Sequence, residues 1–129
     1  MNKLSIIVPV YNGEKTIKRA VDSLLKQTEE VDIIVVNDGS IDNTEDVVKS
    51  YSNSNIHYFY KENGGISDAR NFGISKVETE FFGFLDSDDY VKEDMAEKML
   101  LAIGDKDICM SNFTWVYEDG SRKKAKDVG

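Results

Sequence analysis

Phe81-Phe82-Gly83-Phe84-Leu85-Asp86-Ser87-Asp88-Asp89-Tyr90 is an apolar run that ends in three carboxylates within four positions. The run Phe81–Leu85 reads as a buried strand, short and bounded by polar residues. Carboxylates this close repel one another at neutral pH unless a cation sits among them. A hard divalent ion such as Mg²⁺ or Mn²⁺ prefers oxygen ligands and relieves that repulsion. Placed where a buried strand meets solvent, such carboxylates can hold an ion against a phosphate. The same residues can equally form an acidic loop that starts the next helix, because Asp is a good N-cap.

Working outward, the chain alternates strand and helix. Leu4–Val8 is a short β-branched run, as in a strand covered on both faces. A helix from about Glu14 to Lys26 places Ile17, Ala20, Val21, Leu24 and Leu25 on one face. Val31–Val36 is a second strand. Asp42 and Glu45 have capping-box spacing for a short helix through Tyr51. Ile56–Tyr60 is a third, more polar strand near an edge. A helix from about Ser67 to Lys76 would bury Ile66, Ala69, Gly73 and Val77 on its inner side. After the fourth strand, a helix from about Lys92 to Ile103 turns Ala96, Met99, Leu100 and Ile103 inward, and Ile108–Tyr117 reads as a fifth strand. Glu118-Asp119-Gly120-Ser121 is a turn, so residues 118–129 are expected as a hairpin or a loosely ordered tail. This order predicts an α/β fold, with a mostly parallel, Rossmann-like sheet and helices on both faces, in one domain over residues 1–129.

In such sheets ligands sit beyond the carboxyl ends of the strands. Four polar clusters fall there: Pro9-Val10-Tyr11-Asn12, Asn37-Asp38-Gly39-Ser40, Lys61-Glu62-Asn63-Gly64-Gly65 and Asp86-Ser87-Asp88-Asp89. The Tyr11 ring can stack on a nucleobase or simply cover the sheet edge, and Asn12 fits a helix cap. Asp38 can accept an imide N–H of a base or stabilise its own turn. Gly64-Gly65 ahead of a helix carrying Arg70 offers close backbone approach, free N–H groups and a guanidinium, which suits a base or phosphate pocket. Lys61 can add a positive charge there or be simply solvated. His57 has no partner at ligand spacing and reads as structural.

Composition narrows the field. The net charge is −8 with a sequence pI near 4.6, and no basic stripe precedes the tail, which argues against nucleic acid as a partner. An acidic chain that binds a diphosphate needs a cation, an Arg or Lys, or helix N-termini. The one cysteine, Cys109, excludes an internal disulfide and reads as a small buried hydrophobe. No signal peptide is evident, and no apolar run reaches the ~18 residues of a membrane span. The expected location is therefore cytoplasmic.

Taken in order, these four clusters, with Asp42, Thr44, Ser67, Ala69, Arg70 and Asn71, resemble family 2 glycosyltransferases of the GT-A fold, from residue 4 to about residue 103. The resemblance implies metal-dependent transfer of a sugar from a nucleotide diphosphate donor, usually a UDP-sugar, to a hydroxyl of a saccharide or lipid-linked acceptor, with inversion. It implies that Tyr11 stacks on uracil beside Pro9 and Val10, and that Asp38 hydrogen-bonds the base. Gly65 and Arg70 would close over the nucleotide. Asp86 and Asp88 would be the DxD pair, with Asp88 the better ligand for Mn²⁺ or Mg²⁺, Asp86 nearer the ribose or the ion's waters, and Ser87 beside the nucleotide. Asp89 takes no fixed role. Cell-surface polysaccharide synthesis at the inner face of the membrane follows from the same resemblance.

One element of the pattern is missing. The family's catalytic base is an Asp or Glu well beyond the DxD motif, and Glu118-Asp119 reads as a turn rather than a base. The base is therefore expected beyond residue 129, in a longer enzyme of which this is the donor-binding part, peripheral membrane association would come from that missing part, and weak or no transfer is expected of these 129 residues alone. The alternative function is a nucleotide-sugar-binding or partner-docking module without catalysis. An aspartyl-phosphate protein is a third class, but its nucleophile follows the first or third strand, whereas here the first strand ends in Pro9-Val10-Tyr11 without a carboxylate and the DxD follows the fourth.

Overall fold

The computed structural model describes residues 2–103 together with the strands Thr114–Val116 and Arg122–Lys124. Its elements are β1 (Leu4–Val10), α1 (Ile17–Leu25), β2 (Asp32–Asp38), α2 (Thr44–Lys49), β3 (Ile56–Lys61), α3 (Ile66–Ile74), β4 (Phe81–Phe84), α4 (Met95–Ile103), β5 (Thr114–Val116) and β6 (Arg122–Lys124). The first four strands form one parallel sheet in the order β3-β2-β1-β4. β5 and β6 pair antiparallel as a separate ladder. Cys109 and Glu118-Asp119 lie outside the described residues, as does most of the strand expected over 108–117.

Side-chain alternation on the strands sorts the core into two layers. Leu4, Ile6, Val8 and Val10 of β1 and Ile33 and Val35 of β2 pack with Ile17, Ala20, Val21 and Leu24 of α1, Val48 of α2 and Met95, Ala96 and Met99 of α4. Ile7, Ile34 and Val36 face the other way, onto Ala69 of α3, with Phe59, Phe72 and Phe84 around them. Both faces of β1 are therefore buried along its whole length, which is why its sequence is nearly all apolar. The expected helices on both faces are present. α3 lies so close to the sheet that a Cβ on Gly73 would collide with Ile7 Cγ2.

Two details of the ladder position the site. β1 runs two residues further than expected, through Pro9 and Val10. Phe81 N–H donates to Lys3 O and Leu85 N–H to Ile7 O, both at 3.0 Å, so alternate residues of β1 turn their backbone toward β4. Pro9 is next in that series and has no N–H to give. The β1–β4 ladder therefore stops at Leu85, and the chain turns away at Asp86. β3 lies at the sheet edge, as its polarity implied, and His57 is exposed on it.

The helix starts differ from expectation. α1 begins at Ile17, and Thr16 at its N-cap makes no side-chain cap bond. α2 has no capping box: Asn43 is the cap residue without a side-chain bond, and Glu45 accepts from Tyr58 Oη at 2.9 Å. Ile66, expected inward, is 52% exposed.

Candidate functional site

The loops after β1 and β2 are sewn together. Asn12 has φ 52, a left-handed conformation that Asn tolerates better than most residues. It does not cap α1. Its Oδ1 accepts Ile41 N–H at 2.9 Å, and its own N–H donates to Ser40 Oγ at 2.7 Å. Gly13 N–H donates to buried Thr44 Oγ1 at 2.9 Å. Glu14 N–H donates to Asp42 Oδ2 at 3.2 Å. Asp42 Oδ1 in turn accepts the N–H and hydroxyl of Thr44, at 2.9 and 2.5 Å. This lattice holds Tyr11 at the rim, 52% exposed.

Asp38 is 4% exposed at the end of β2 and does not brace its own turn. That task falls to Asn37, whose Oδ1 accepts Ser40 N–H at 3.0 Å. The Asp38 carboxylate reaches the loop after β3 instead. Oδ1 accepts Lys61 Nζ at 3.0 Å and Gly64 N–H at 2.9 Å. Oδ2 accepts Gly65 N–H at 3.1 Å and, at a longer 3.4 Å, Asn63 Nδ2. Burial alone would raise its pKa, but the hydrogen bonds from Gly64 and Lys61 outweigh it and hold the group below the usual carboxylate range. Gly65 has φ 97, a left-handed position where a side chain would be strained.

Asp86, Asp88 and Asp89 bring one carboxylate oxygen each within 4.8 Å of one another. Asp89 N–H donates to Asp86 O at 3.0 Å, the turn that folds the three together. Arg70 Nη2 lies 3.5 Å from Asp86 Oδ1, with its guanidinium 5.4 Å from the centre of the Phe84 ring. Arg19 of α1 donates to Asp88 O at 3.3 Å and stacks over Tyr90 at 5.0 Å. Three convergent carboxylate oxygens form a hard donor set that suits a divalent cation. Asp89, one of the three carboxylates of the sequence motif though given no fixed role by the family resemblance, is the third member.

A cleft of about 530 Å³ joins these parts and is lined by Pro9, Val10, Tyr11, Asp38, Asp86, Ser87 and Asp88. That size suits a small-molecule ligand. Gly65 and Arg70 are not in its lining but touch it through Asp38 and Asp86. Ile66 and Ala69 of α3 and Thr16 also line it, and sequence reasoning missed their part. Ile66 was assigned to a core face because its spacing fits one. Lys61, which reads as an added charge at the pocket or a solvated one, is the former, and its register opposite Asp38 on neighbouring strands identifies the pair.

Comparisons with known proteins agree with this geometry. The glycosyl transferase family 2 pattern matches residues 5–128. An uncharacterized glycosyltransferase of Rickettsia typhi is 52% identical over 87 residues, 67% of this chain and 27% of that protein. Glycosyltransferase GlyA of Streptococcus pneumoniae is 37% identical over 117 residues, 87% of this chain and 17% of that protein. The chain thus spans a minor part of the length of the relatives it matches. The crystal structure of S. aureus TarS 1-349 in complex with UDP-GlcNAc superposes with a TM-score of 0.73 at 37% identity, covering 78% of this chain and 31% of that one.

Proposed function

The chain belongs to glycosyl transferase family 2 and has the GT-A fold, and on that premise we propose that it binds the nucleotide-sugar donor, a UDP-sugar with a divalent cation, for an inverting glycosyl transfer. The observation that carries this reading is one cleft lined at once by Tyr11, Asp38, Asp86 and Asp88. One wall offers a ring and a buried carboxylate, as a nucleobase needs. The other offers Asp86 and Asp88, which with the neighbouring Asp89 suit a cation and, through it, a diphosphate. The 37% identity to TarS, whose structure holds UDP-GlcNAc, supports a uridine nucleotide.

In this reading Tyr11 presents its ring to the base, flanked by Pro9 and Val10. Asp38 accepts the ring N–H. Asp86 and Asp88, joined by Asp89, would hold the cation, and Ser87 would contact the nucleotide. Arg70 and Gly65 close the nucleotide side, Arg70 adding a positive charge near a leaving group that becomes more negative as the glycosidic bond breaks. A bound divalent ion stabilises that departing charge as a Lewis acid. Displacement with inversion also needs a general base for the acceptor hydroxyl, and the reading assigns that proton to no residue of this cleft.

Calorimetry of UDP with Mn²⁺ tests the proposal. Wild type should bind, and a chelator or Asp88→Ala should weaken binding by at least about tenfold. Binding of UDP that is indifferent to both the metal and Asp88 would remove the metal role, and no binding would remove the donor assignment.

A further inference from the structure

The Asp38 carboxylate is nearly full. A carboxylate has about four acceptor positions. On Oδ1, Lys61 Nζ at 3.0 Å and Gly64 N–H at 2.9 Å take both. On Oδ2, Gly65 N–H takes one at 3.1 Å, and only Asn63 Nδ2, at 3.4 Å, occupies the other. That last bond is the weakest of the four and the easiest to give up, because Asn63 Nδ2 already donates to Asp38 O at 3.0 Å. An incoming ligand can therefore take one acceptor position from Asp38 without disturbing the rest.

Lys61 is not free to leave. Its side chain is 14% exposed, and its ammonium, with three N–H donors, serves Asp38, Asp68 Oδ2 and Glu62 O together. Strand register sets Lys61 directly beside Asp38. The ammonium carries opposite charge to both carboxylates, and its pKa is raised by its bonds to Asp68 and Asp38.

We propose that Lys61 is a specificity-determining positioning residue: by filling Oδ1 of Asp38 it leaves the carboxylate a single acceptor position, matched to a base with one ring N–H. Uracil is such a base, with N3–H between two carbonyls. Guanine presents two adjacent donors, N1–H and the N2 amino group, which pair best with both oxygens of a carboxylate. With Oδ1 filled, one guanine N–H loses its water partner and gains none, which costs on the order of tenfold in affinity. The inference rests on the donor reading above and extends it to which base is taken and why.

The test compares UDP and GDP by calorimetry at one Mn²⁺ concentration, so that the cation's contribution cancels in the ratio. Wild type should prefer UDP by about tenfold or more. Lys61→Met keeps the apolar stem but frees one of the two acceptor positions on Oδ1, and should reduce the UDP:GDP preference by at least about fivefold. Lys61→Arg restores a donor to Oδ1 and should restore the preference. A purely structural Lys61 would weaken both nucleotides alike and leave the ratio unchanged, and that result overturns the inference. Equal affinities in wild type overturn it too, even if Lys61→Met fails to fold. Absence of UDP binding by wild type is a different failure and takes the donor reading down with it.

Discussion

Asp38 and Lys61 form an ion pair in which each partner has lost most of its water and found several partners in exchange. Such a pair is costly to break one side at a time, because the remaining charge is left buried. The pKa directions carry a sign that can be measured. Asp38 titrates below its ordinary value in the folded chain, so its contribution is present above about pH 4 and is lost as pH falls through the folded value. Lys61 titrates above its ordinary value of 10.5, so its contribution is complete below that pH and is lost as pH rises through the folded value. Urea unfolding should therefore show the stability gap between wild type and Asp38→Asn shrinking from pH 6 to about pH 3. The gap between wild type and Lys61→Met should shrink above about pH 10.5 and also at acid pH, where Asp38 loses the charge that Lys61 pairs with. An Asp38→Asn gap that stays the same from pH 6 down through the folded value would show that the carboxylate charge contributes nothing.

At the scale of elements, the site depends on loops that brace each other rather than on helix ends. The residues that look like caps, Asn12 and Asp42, spend their side chains across the gap between the β1–α1 and β2–α2 connections. Thr44 is the hinge of that arrangement, fully buried, accepting from Gly13 N–H and donating to Asp42. Thr44→Val preserves the shape but leaves Gly13 N–H without its acceptor, which should cost about 1–3 kcal/mol in denaturant unfolding. Because the same bond holds the segment behind Tyr11, UDP affinity should fall as well. A variant that loses stability but keeps full UDP affinity would show that the Tyr11 loop does not need this brace.

For the molecule as a whole, three layers converge on β1. α1, α2 and α4 cover one face of the sheet and α3 the other, and the close approach of α3 at Gly73 brings Ala69 and Ile66 to the cleft. Gly73→Ala would push α3 off Ile7 and should destabilise the fold by about 1–3 kcal/mol, read as a lower Tm. Combining it with Ile7→Ala, which removes the obstructing branch, should cost less than the sum of the two single changes. Strict additivity would mean that the helix does not rest on that contact. The net charge of −8 also fits a site that takes its anionic ligand together with a cation rather than through a basic surface.

Much of this was legible in the sequence. Strand identity, parallel pairing and the polar clusters at the carboxyl ends follow from period and burial, because a strand covered on both faces must be apolar throughout. Tyr11, Asp38, Asp86 and Asp88 could be named for the same reason: the fold class brings strand ends to one edge. The tertiary structure decided what each side chain does there. Asn12 and Asp42 carry good local signals for helix caps, yet Asn12 is taken by Ile41, 29 residues away, and Asp42 divides its oxygens between nearby Thr44 and Glu14, 28 residues away. The crowding of Asp38 and the pairing of Lys61 depend on which strands become neighbours. Hydrophobic pattern specifies which face of an element is buried, but the partner of a polar group is set by distances between segments far apart in the chain, and those exist only once the sheet has assembled.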